Sequence, residues 1–173
     1  QAKGFSPNVV TFISILKACA HAGAMERIEE IVMKIEIKGW LEKEFFLGCA
    51  LIDMYVKIGS LSKAQEVLDK LPVRNVATWS ALIGGYAEHG HGHKALFCFE
   101  KMEKEGICPD SIAFLSCLKA CGCVVARGKG LEIHAEMEKR GLISDEIMMG
   151  NSLLDMYVKC FPLIVARHVF NHL

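Results

Sequence analysis

Apolar residues recur along the chain at the spacing of one helix face, and glycine or proline interrupts them. In residues 76–110 a first apolar stripe at i, i+3, i+4 and i+7 comprises Trp79, Leu82, Ile83 and Tyr86. A second stripe comprises Ala95, Leu96, Phe99 and Met102. Gly90 separates the two stripes, and Gly106 and Pro109 follow the second. This pattern predicts two amphipathic helices joined by a turn at Gly90.

The pattern repeats over a longer distance. The segment Leu-Ile-Asp-Met-Tyr-Val-Lys at 51–57 returns as Leu-Leu-Asp-Met-Tyr-Val-Lys at 153–159, an offset of 102 residues. Leu-Lys-Ala-Cys at 16–19 returns at 118–121 with the same offset. One offset kept over this much chain indicates an internal repeat, but 102 residues exceed one supersecondary unit.

Aligning the apolar pairs divides this period into smaller units that begin at Val9, Phe45, Val76, Ser111 and Ile147. The predicted units are 9–44, 45–75, 76–110, 111–146 and a truncated 147–173, after a tail of an earlier unit at 1–8. A two-helix unit of this size cannot bury both its stripes alone, so successive hairpins must stack. We therefore predict one all-α solenoid domain of stacked helix-turn-helix hairpins. We also expect the chain to be a piece of a longer array.

Composition narrows the function classes only in part. The chain has 173 residues, of which 52% are hydrophobic, with 20 basic and 20 acidic side chains. A neutral balance argues mildly against nucleic-acid binding, so the positions of the charges must decide. No apolar run reaches the ~20 residues that span a bilayer, and we expect no membrane partner. The eight cysteines include no Cys-x-x-Cys pair, so we expect buried free thiols.

The units resemble pentatricopeptide repeats of three lengths. Val76–Tyr86 with the ending Glu105–Asp110 resembles the standard form of 35 residues. The units with Leu-Ile-Asp-Met-Tyr or Leu-Leu-Asp-Met-Tyr resemble the short form, and those with Leu-Lys-Ala-Cys resemble the long form. The order long, short, standard, long, short is similar to the plant subclass that alternates these forms. The resemblance implies a right-handed α-α superhelix, similar to that of tetratricopeptide repeats, with first helices lining a concave groove.

The resemblance also implies single-stranded RNA binding, with one base read by the fifth and last residues of each repeat. The standard repeat offers Ser80 and Asp110, a combination that resembles the one favouring guanine. In the short repeats the fifth residue is Asn151, which suggests a pyrimidine, or Cys49, which stands opposite Asn75. The long repeats carry apolar Ile13 and Leu115 with Glu44 and Glu146 last, so we expect them to read bases weakly or not at all.

Two further sets of positions follow from the resemblance. The second residues of the repeats would sandwich the bases, and they are Val10, Phe46, Ala77, Ile112 and Met148. The thirteenth residue often contacts the RNA backbone, and Lys57 and Lys159 match it. Lys17 and Lys119 are a second possible source of charge, although an exposed lysine is ordinarily only solvated. So few phosphate contacts predict weak binding by this chain alone.

Several other functions are left open or disfavoured. A protein-binding solenoid of the tetratricopeptide type is the main alternative, although that family keeps units of 34 residues. In a mixed version, Ile13 and Leu115 would bind a partner protein such as an editing factor. His89, His91 and His93 lack metal ligands at partner spacing, and a deaminase motif is absent. We expect no enzyme activity, cofactor, metal or small-molecule substrate, and the resemblance implies a mitochondrial or chloroplast role in RNA processing, most of all in editing-site recognition.

Overall fold

The computed structural model describes residues 8–41, 43–143 and 147–171. These ranges form ten α-helices and contain no strand. The helices are α1 (Val9–Ala22), α2 (Met25–Ile37), α3 (Phe45–Lys57), α4 (Leu61–Lys70), α5 (Val76–Glu88), α6 (Gly92–Lys104), α7 (Ser111–Val124), α8 (Arg127–Lys139), α9 (Ile147–Cys160) and α10 (Leu163–Phe170). The prediction of an all-α chain is confirmed. The odd-numbered helices begin at the five residues where the predicted repeats begin, while the assignment of repeat types stays a prediction.

In the first four hairpins the two helices are joined by a tight turn with one residue in the left-handed conformation. Gly23, Gly59 and Gly90 occupy this position with φ of 66°, 74° and 77°. Glycine adopts this conformation without the steric cost that a Cβ atom brings. In the fourth hairpin Val125 takes the same conformation with φ of 54°, although it is β-branched. The turn geometry therefore persists where its preferred residue does not.

The chain divides into two compact units, which we call unit 1 (Gln1–Thr78) and unit 2 (Trp79–Leu173). In unit 1, α1 packs against both α2 and α3, and α3 packs against α4. Its core includes the fully buried side chains of Leu16, Ile28, Ile35, Leu51, Ile52 and Leu68. At one end the rings of Phe12 and Trp40 meet edge to face with centroids 5.2 Å apart, a geometry that aromatic pairs favour.

In unit 2, α7 is central and packs against α6, α8 and α9. The buried side chains of unit 2 include Leu82, Ile83, Met102, Phe114, Leu118, Met137 and Leu153. Phe99 of α6 and Phe114 of α7 join the two hairpins with ring centroids 5.7 Å apart. In both units the first helices of successive hairpins pack side by side, α1 on α3 and α7 on α9. Each unit therefore presents one surface made by first helices alone.

The fifth hairpin departs from the glycine turn in the way that Phe161-Pro162 predicts. Pro162 stands at the N-cap of α10, so the helix begins directly after the proline. The Phe161 ring packs on Tyr157 with centroids 5.1 Å apart. The Nε of Arg127 donates a hydrogen bond to the carbonyl of Cys160 over 2.6 Å. This contact satisfies a carbonyl at the end of α9 that the helix itself leaves unpaired.

The three tyrosines and four of the eight cysteines are buried. Tyr55, Tyr86 and Tyr157 are each 4% exposed, so they are packing residues. Cys98, Cys117 and Cys121 are buried, and burial raises the pKa of the Cys121 thiol to about 12. Cys19 and Cys49 are partly exposed and Cys108 and Cys123 are exposed, so the expectation of burial is wrong for these four. Cys19 lines an open cavity together with Ala18 and Ala22 of the same helix.

Candidate nucleic-acid interface

The second residue of each repeat lies near the start of a first helix and points into solvent. The exposed fractions are 68% for Val10, 75% for Phe46, 60% for Ile112 and 67% for Met148. Ala77 is exposed as well. Single exposed apolar residues are ordinary on protein surfaces, but here the same repeat position is exposed five times. The structure thus keeps an apolar contact available at each predicted sandwiching position.

The fifth residues are less exposed than the second. Ile13, Cys49 and Leu115 are partly exposed, Asn151 is exposed, and Ser80 is 3% exposed. Burial, followed by the neighbouring Asp53 carboxylate, raises the pKa of the Cys49 thiol. The thiol therefore stays protonated and is at best a weak hydrogen-bond donor.

The residue at the end of a repeat caps the first helix of the next repeat in three places. The Oδ1 of Asp110 accepts a hydrogen bond from the backbone N–H of Ala113 over 2.9 Å and so caps α7. Asn75 accepts from the N–H of Thr78 over 3.0 Å in the same way, before α5. Asn8 accepts from Thr11 before α1. Each of these residues satisfies a donor that the first turn of a helix leaves unpaired. A polar residue directly before an apolar helical stripe is the sequence signal for such a cap.

Ser80 and Asp110 meet in unit 2 although 30 positions separate them. The Ser80 Oγ donates a hydrogen bond to Oδ1 of Asp110 over 2.8 Å. The structure therefore brings the predicted reader pair together, with the serine hydroxyl turned toward the carboxylate. A base would approach the exposed part of Asp110 rather than the serine. Glu146, the last residue of the fourth repeat, lies outside the described residues, whereas Glu44 is exposed and makes no capping hydrogen bond.

Unit 2 contains a groove lined entirely by first helices, which we call the unit-2 groove. Its volume is about 490 Å³. Its walls are formed by Gly84, Ala87 and Glu88 of α5, Ile112, Leu115, Ser116 and Lys119 of α7, and Met148, Asn151, Ser152, Asp155 and Lys159 of α9. The second residues Ile112 and Met148, the fifth residues Leu115 and Asn151, and the thirteenth residue Lys159 thus share one cavity. An apolar clamp, an amide and an ammonium group are what a stacked base, its edge and its phosphate require.

Unit 1 contains a corresponding groove of about 480 Å³ between α1 and α3, the unit-1 groove. It is lined by Lys17, Ala20, His21, Ala50, Asp53, Met54 and Lys57. Burial raises the pKa of Asp53, and the positive charges of Lys57 and then Lys17 partly oppose that rise. Lys57 and Lys17 therefore face the same carboxylate.

Asp53 and Asp155 are groove residues that the sequence analysis missed. Lys159 donates to Oδ2 of Asp155 over 2.6 Å, and this hydrogen bond raises the pKa of Lys159. The signal was present in the repeated segment, where aspartate precedes lysine by four residues and so lies on the same helix face. Nowhere in the described ranges do three His, Cys, Asp or Glu side chains gather closely enough to hold a metal. Within the same ranges no helix has the length and apolar content needed to cross a membrane.

Comparison with solved structures places the fold. The maize pentatricopeptide repeat protein PPR10 superposes with a TM-score of 0.78 at 20% identity, over 99% of this chain and 25% of that one. PPR10 in complex with an 18-nucleotide psaJ RNA element superposes with a TM-score of 0.74 over 97% of this chain. The chain is thus an all-α repeat protein of the α-α superhelix class.

Comparison with protein families shows which repeat this is. The PPR repeat family model matches residues 74–123, the pentatricopeptide repeat domain model matches 1–40, and the PPR repeat model matches 49–76. The chain is a pentatricopeptide repeat protein.

Several proteins from Arabidopsis thaliana are similar to this chain over most of its length. A putative pentatricopeptide repeat-containing protein is 42% identical over 80% of this chain and 28% of its own length. A chloroplastic relative is 35% identical over 96% of this chain and 26% of its own. A mitochondrial relative is 35% identical over the whole chain and 17% of its own length. The chain therefore spans about a quarter or less of each of these relatives.

Proposed function

We propose that the chain binds single-stranded RNA with sequence preference and acts in organellar RNA processing, without catalysis of its own. The observation that carries the proposal is the unit-2 groove. It combines the exposed apolar side chains of Ile112 and Met148 with the amide of Asn151 and the ammonium of Lys159. A protein–RNA contact of this kind needs stacking, edge recognition and charge together.

Two further observations support the proposal. The relatives carry the pentatricopeptide repeat name, and some are named chloroplastic or mitochondrial. A protein of the same fold is known in complex with an RNA element. The alternation of long, short and standard repeats is the basis for proposing recognition of editing sites. Within this proposal Ser80 with Asp110 reads guanine, and Asn151 reads a pyrimidine.

Selection from a random single-stranded RNA pool tests the proposal. The wild-type chain and Asn151→Ala are each incubated with the pool, and the bound RNAs are sequenced. We expect an enriched position in the wild type whose preference disappears in the variant, with binding otherwise retained. Asn171→Ala, a change of the same kind after α10, serves as the matched control. Enrichment that is absent from the wild type, or unchanged in Asn151→Ala, would contradict the proposal.

A protein partner is the second candidate function, and one observation favours it. Leu115 is only partly buried although it is a leucine within a helix, and it lies in the unit-2 groove. An apolar side chain cannot read a base edge by hydrogen bonding, but it can pack on a partner such as an editing factor. Ile13 of α1 is the equivalent residue in unit 1 and is also partly exposed. A nuclease-resistant association that is lost in Leu115→Asp would support this function, and one that is unchanged would count against it.

A further inference from the structure

The same arrangement of three charged residues occurs once in each groove. In unit 1 it comprises Lys17, Asp53 and Lys57, and in unit 2 it comprises Lys119, Asp155 and Lys159. Each aspartate lies on the first helix of a short repeat, and one lysine follows it by four residues. The other lysine comes from the first helix of the preceding long repeat. The two arrangements are 102 positions apart, residue for residue.

In each groove one aspartate lies among two lysines, and Lys159 is hydrogen-bonded to its aspartate directly. In unit 2 the Lys159 Nζ lies 2.6 Å from Oδ2 of Asp155, and both side chains are about half exposed. In unit 1 the positive charges of Lys57 and Lys17 both act on the Asp53 carboxylate, which is partly removed from water. A lysine ammonium is a compact point charge. When a carboxylate already neutralises part of that charge, less of it is left to attract a phosphate.

A phosphodiester and a carboxylate each carry one negative charge. An RNA backbone entering a groove would therefore compete with the aspartate for the lysines and would also be repelled by it. Glu88 in the unit-2 groove adds to this repulsion, and His21 lines the unit-1 groove. Lys159 thus starts from a paired state, and the other three groove lysines lie in a groove that also holds a carboxylate, so only part of the groove's positive charge is available to RNA.

We propose that Asp53 and Asp155 are internal counter-ions that compete with the RNA backbone for the groove lysines and thereby weaken sequence-independent binding. The inference rests on the proposed function, and it adds two residues that limit the strength of sequence-independent RNA binding. With the lysines partly neutralised, the base contacts at Asn151 and Asp110 contribute a larger share of the total affinity. The neutral charge balance of the chain, 20 basic and 20 acidic residues, is consistent with this restraint.

The test compares the salt dependence of RNA binding among four proteins. These are the wild-type chain, Asp53→Asn, Asp155→Asn and Asp69→Asn, each titrated against one single-stranded RNA at several salt concentrations. Asp69 is an exposed aspartate of α4 that pairs with the Gln65 side chain, so it supplies the same charge change outside the grooves. We expect each groove variant to bind about 3- to 10-fold more tightly near 0.1 M salt. The plot of log affinity against log salt should steepen by about 0.7 for each phosphate contact that is freed. The affinity of Asp69→Asn should differ from that of the wild type by less than about 2-fold.

A second measurement reports the pairing without RNA. The pKa of Lys159, followed by NMR, should fall toward its ordinary value in Asp155→Asn. Unchanged affinity and slope in both groove variants overturn the inference, as does weaker binding, which would mean that the aspartates hold the lysines ready for RNA. In either case wild-type binding leaves the proposed function intact. A wild-type chain that binds no RNA even at low salt overturns the proposed function, and the inference falls with it.

Discussion

The Ser80 Oγ lies 2.8 Å from Oδ1 of Asp110, and that same oxygen accepts the N–H of Ala113 at the start of α7. One carboxylate oxygen thus joins a buried serine to a helix cap, while the same residue is a predicted base reader. Stability and recognition at this residue can be separated by the choice of substitution.

Asp110→Ala removes the cap and leaves the Ser80 hydroxyl unpaired, so we expect a loss of about 1–3 kcal/mol in the free energy of unfolding. Asp110→Asn keeps an acceptor oxygen and should stay within about 0.5 kcal/mol of the wild type. Its amide also donates, so the proposed preference for guanine should fall about tenfold in favour of adenine. Chemical denaturation and competition binding with RNAs differing at one base measure the two effects. A loss of stability in Asp110→Asn as large as that in Asp110→Ala would show that the carboxylate charge is needed and that an acceptor oxygen alone is not enough.

Met148→Ala tests the apolar clamp of the unit-2 groove. Met148 is 67% exposed, so its truncation should leave the thermal midpoint unchanged while RNA affinity falls about 3- to 10-fold. Met33→Ala is the matched control, because Met33 is 58% exposed on α2, a second helix. Calorimetry and fluorescence anisotropy give the two readouts. An equal loss of affinity in both variants would remove the special role of the second position.

A pair of glycines tests the close packing of α6 on α7. A Cβ atom at Gly92 would lie 2.7 Å from Cγ1 of Val124 and 2.9 Å from the carbonyl oxygen of Ala120. Because backbone is one of the two neighbours, we expect Gly92→Ala to cost about 1–3 kcal/mol in unfolding free energy. A Cβ at Gly128 of α8 meets nothing within 4 Å, so Gly128→Ala should stabilise by about 0.5–1 kcal/mol. Denaturant unfolding of both variants checks the opposite signs, and a stable Gly92→Ala would contradict the tight contact.

Val125 occupies the left-handed turn that glycine fills in the first three hairpins. Its φ of 54° places a β-branched side chain where an L-residue is strained. Val125 is 51% exposed, so little burial is lost on truncation. We expect Val125→Gly to stabilise by about 1 kcal/mol, less the entropy that glycine adds to the unfolded chain. Gly90→Val, the reciprocal change, should destabilise, and thermal unfolding of the two variants should therefore shift in opposite directions.

Asp53 predicts a pH-dependent difference in stability. Burial raises its pKa in the folded state, with Lys57 and Lys17 opposing and Cys49 and His21 as the other titratable neighbours. A raised pKa means that the folded state binds the proton more tightly, so the stabilisation from the protonated carboxyl is complete below the unfolded pKa of about 4 and is lost as the pH rises.

Asp53→Asn should therefore match the wild type near pH 3 and become more stable above pH 6, by about 0.5 kcal/mol because the group is half exposed. Asp69→Asn is the charge-matched control. Denaturant unfolding across this pH range measures the difference. A variant that loses stability at neutral pH would mean that attraction to the lysines exceeds the cost of burial.

Local signals in the sequence were sufficient for the elements. The spacing of apolar residues predicted the helical hairpins. The environment of the fifth residue could not be obtained in that way. Ser80 and Asn151 occupy equivalent repeat positions, yet one is buried and the other exposed, and burial depends on packing between helices that local spacing does not give. The opposition of Lys17 and Asp53 likewise requires two helices to pack side by side, which no single stretch of sequence states.

The exposed second residues have a consequence for binding at high ionic strength. Under the proposed function, contacts of Lys57 and Lys159 with RNA phosphates would weaken as salt rises, because each counterion released into a more concentrated solution gains less entropy. Removing the surfaces of Val10, Phe46, Ile112 and Met148 from water does not depend on salt in this way. At high salt the remaining affinity would therefore be set by these four side chains and would be nearly the same for any base they enclose. The RNA affinity of the array would therefore fall as salt rises while the electrostatic contribution is lost, and would then level off at the contribution from stacking.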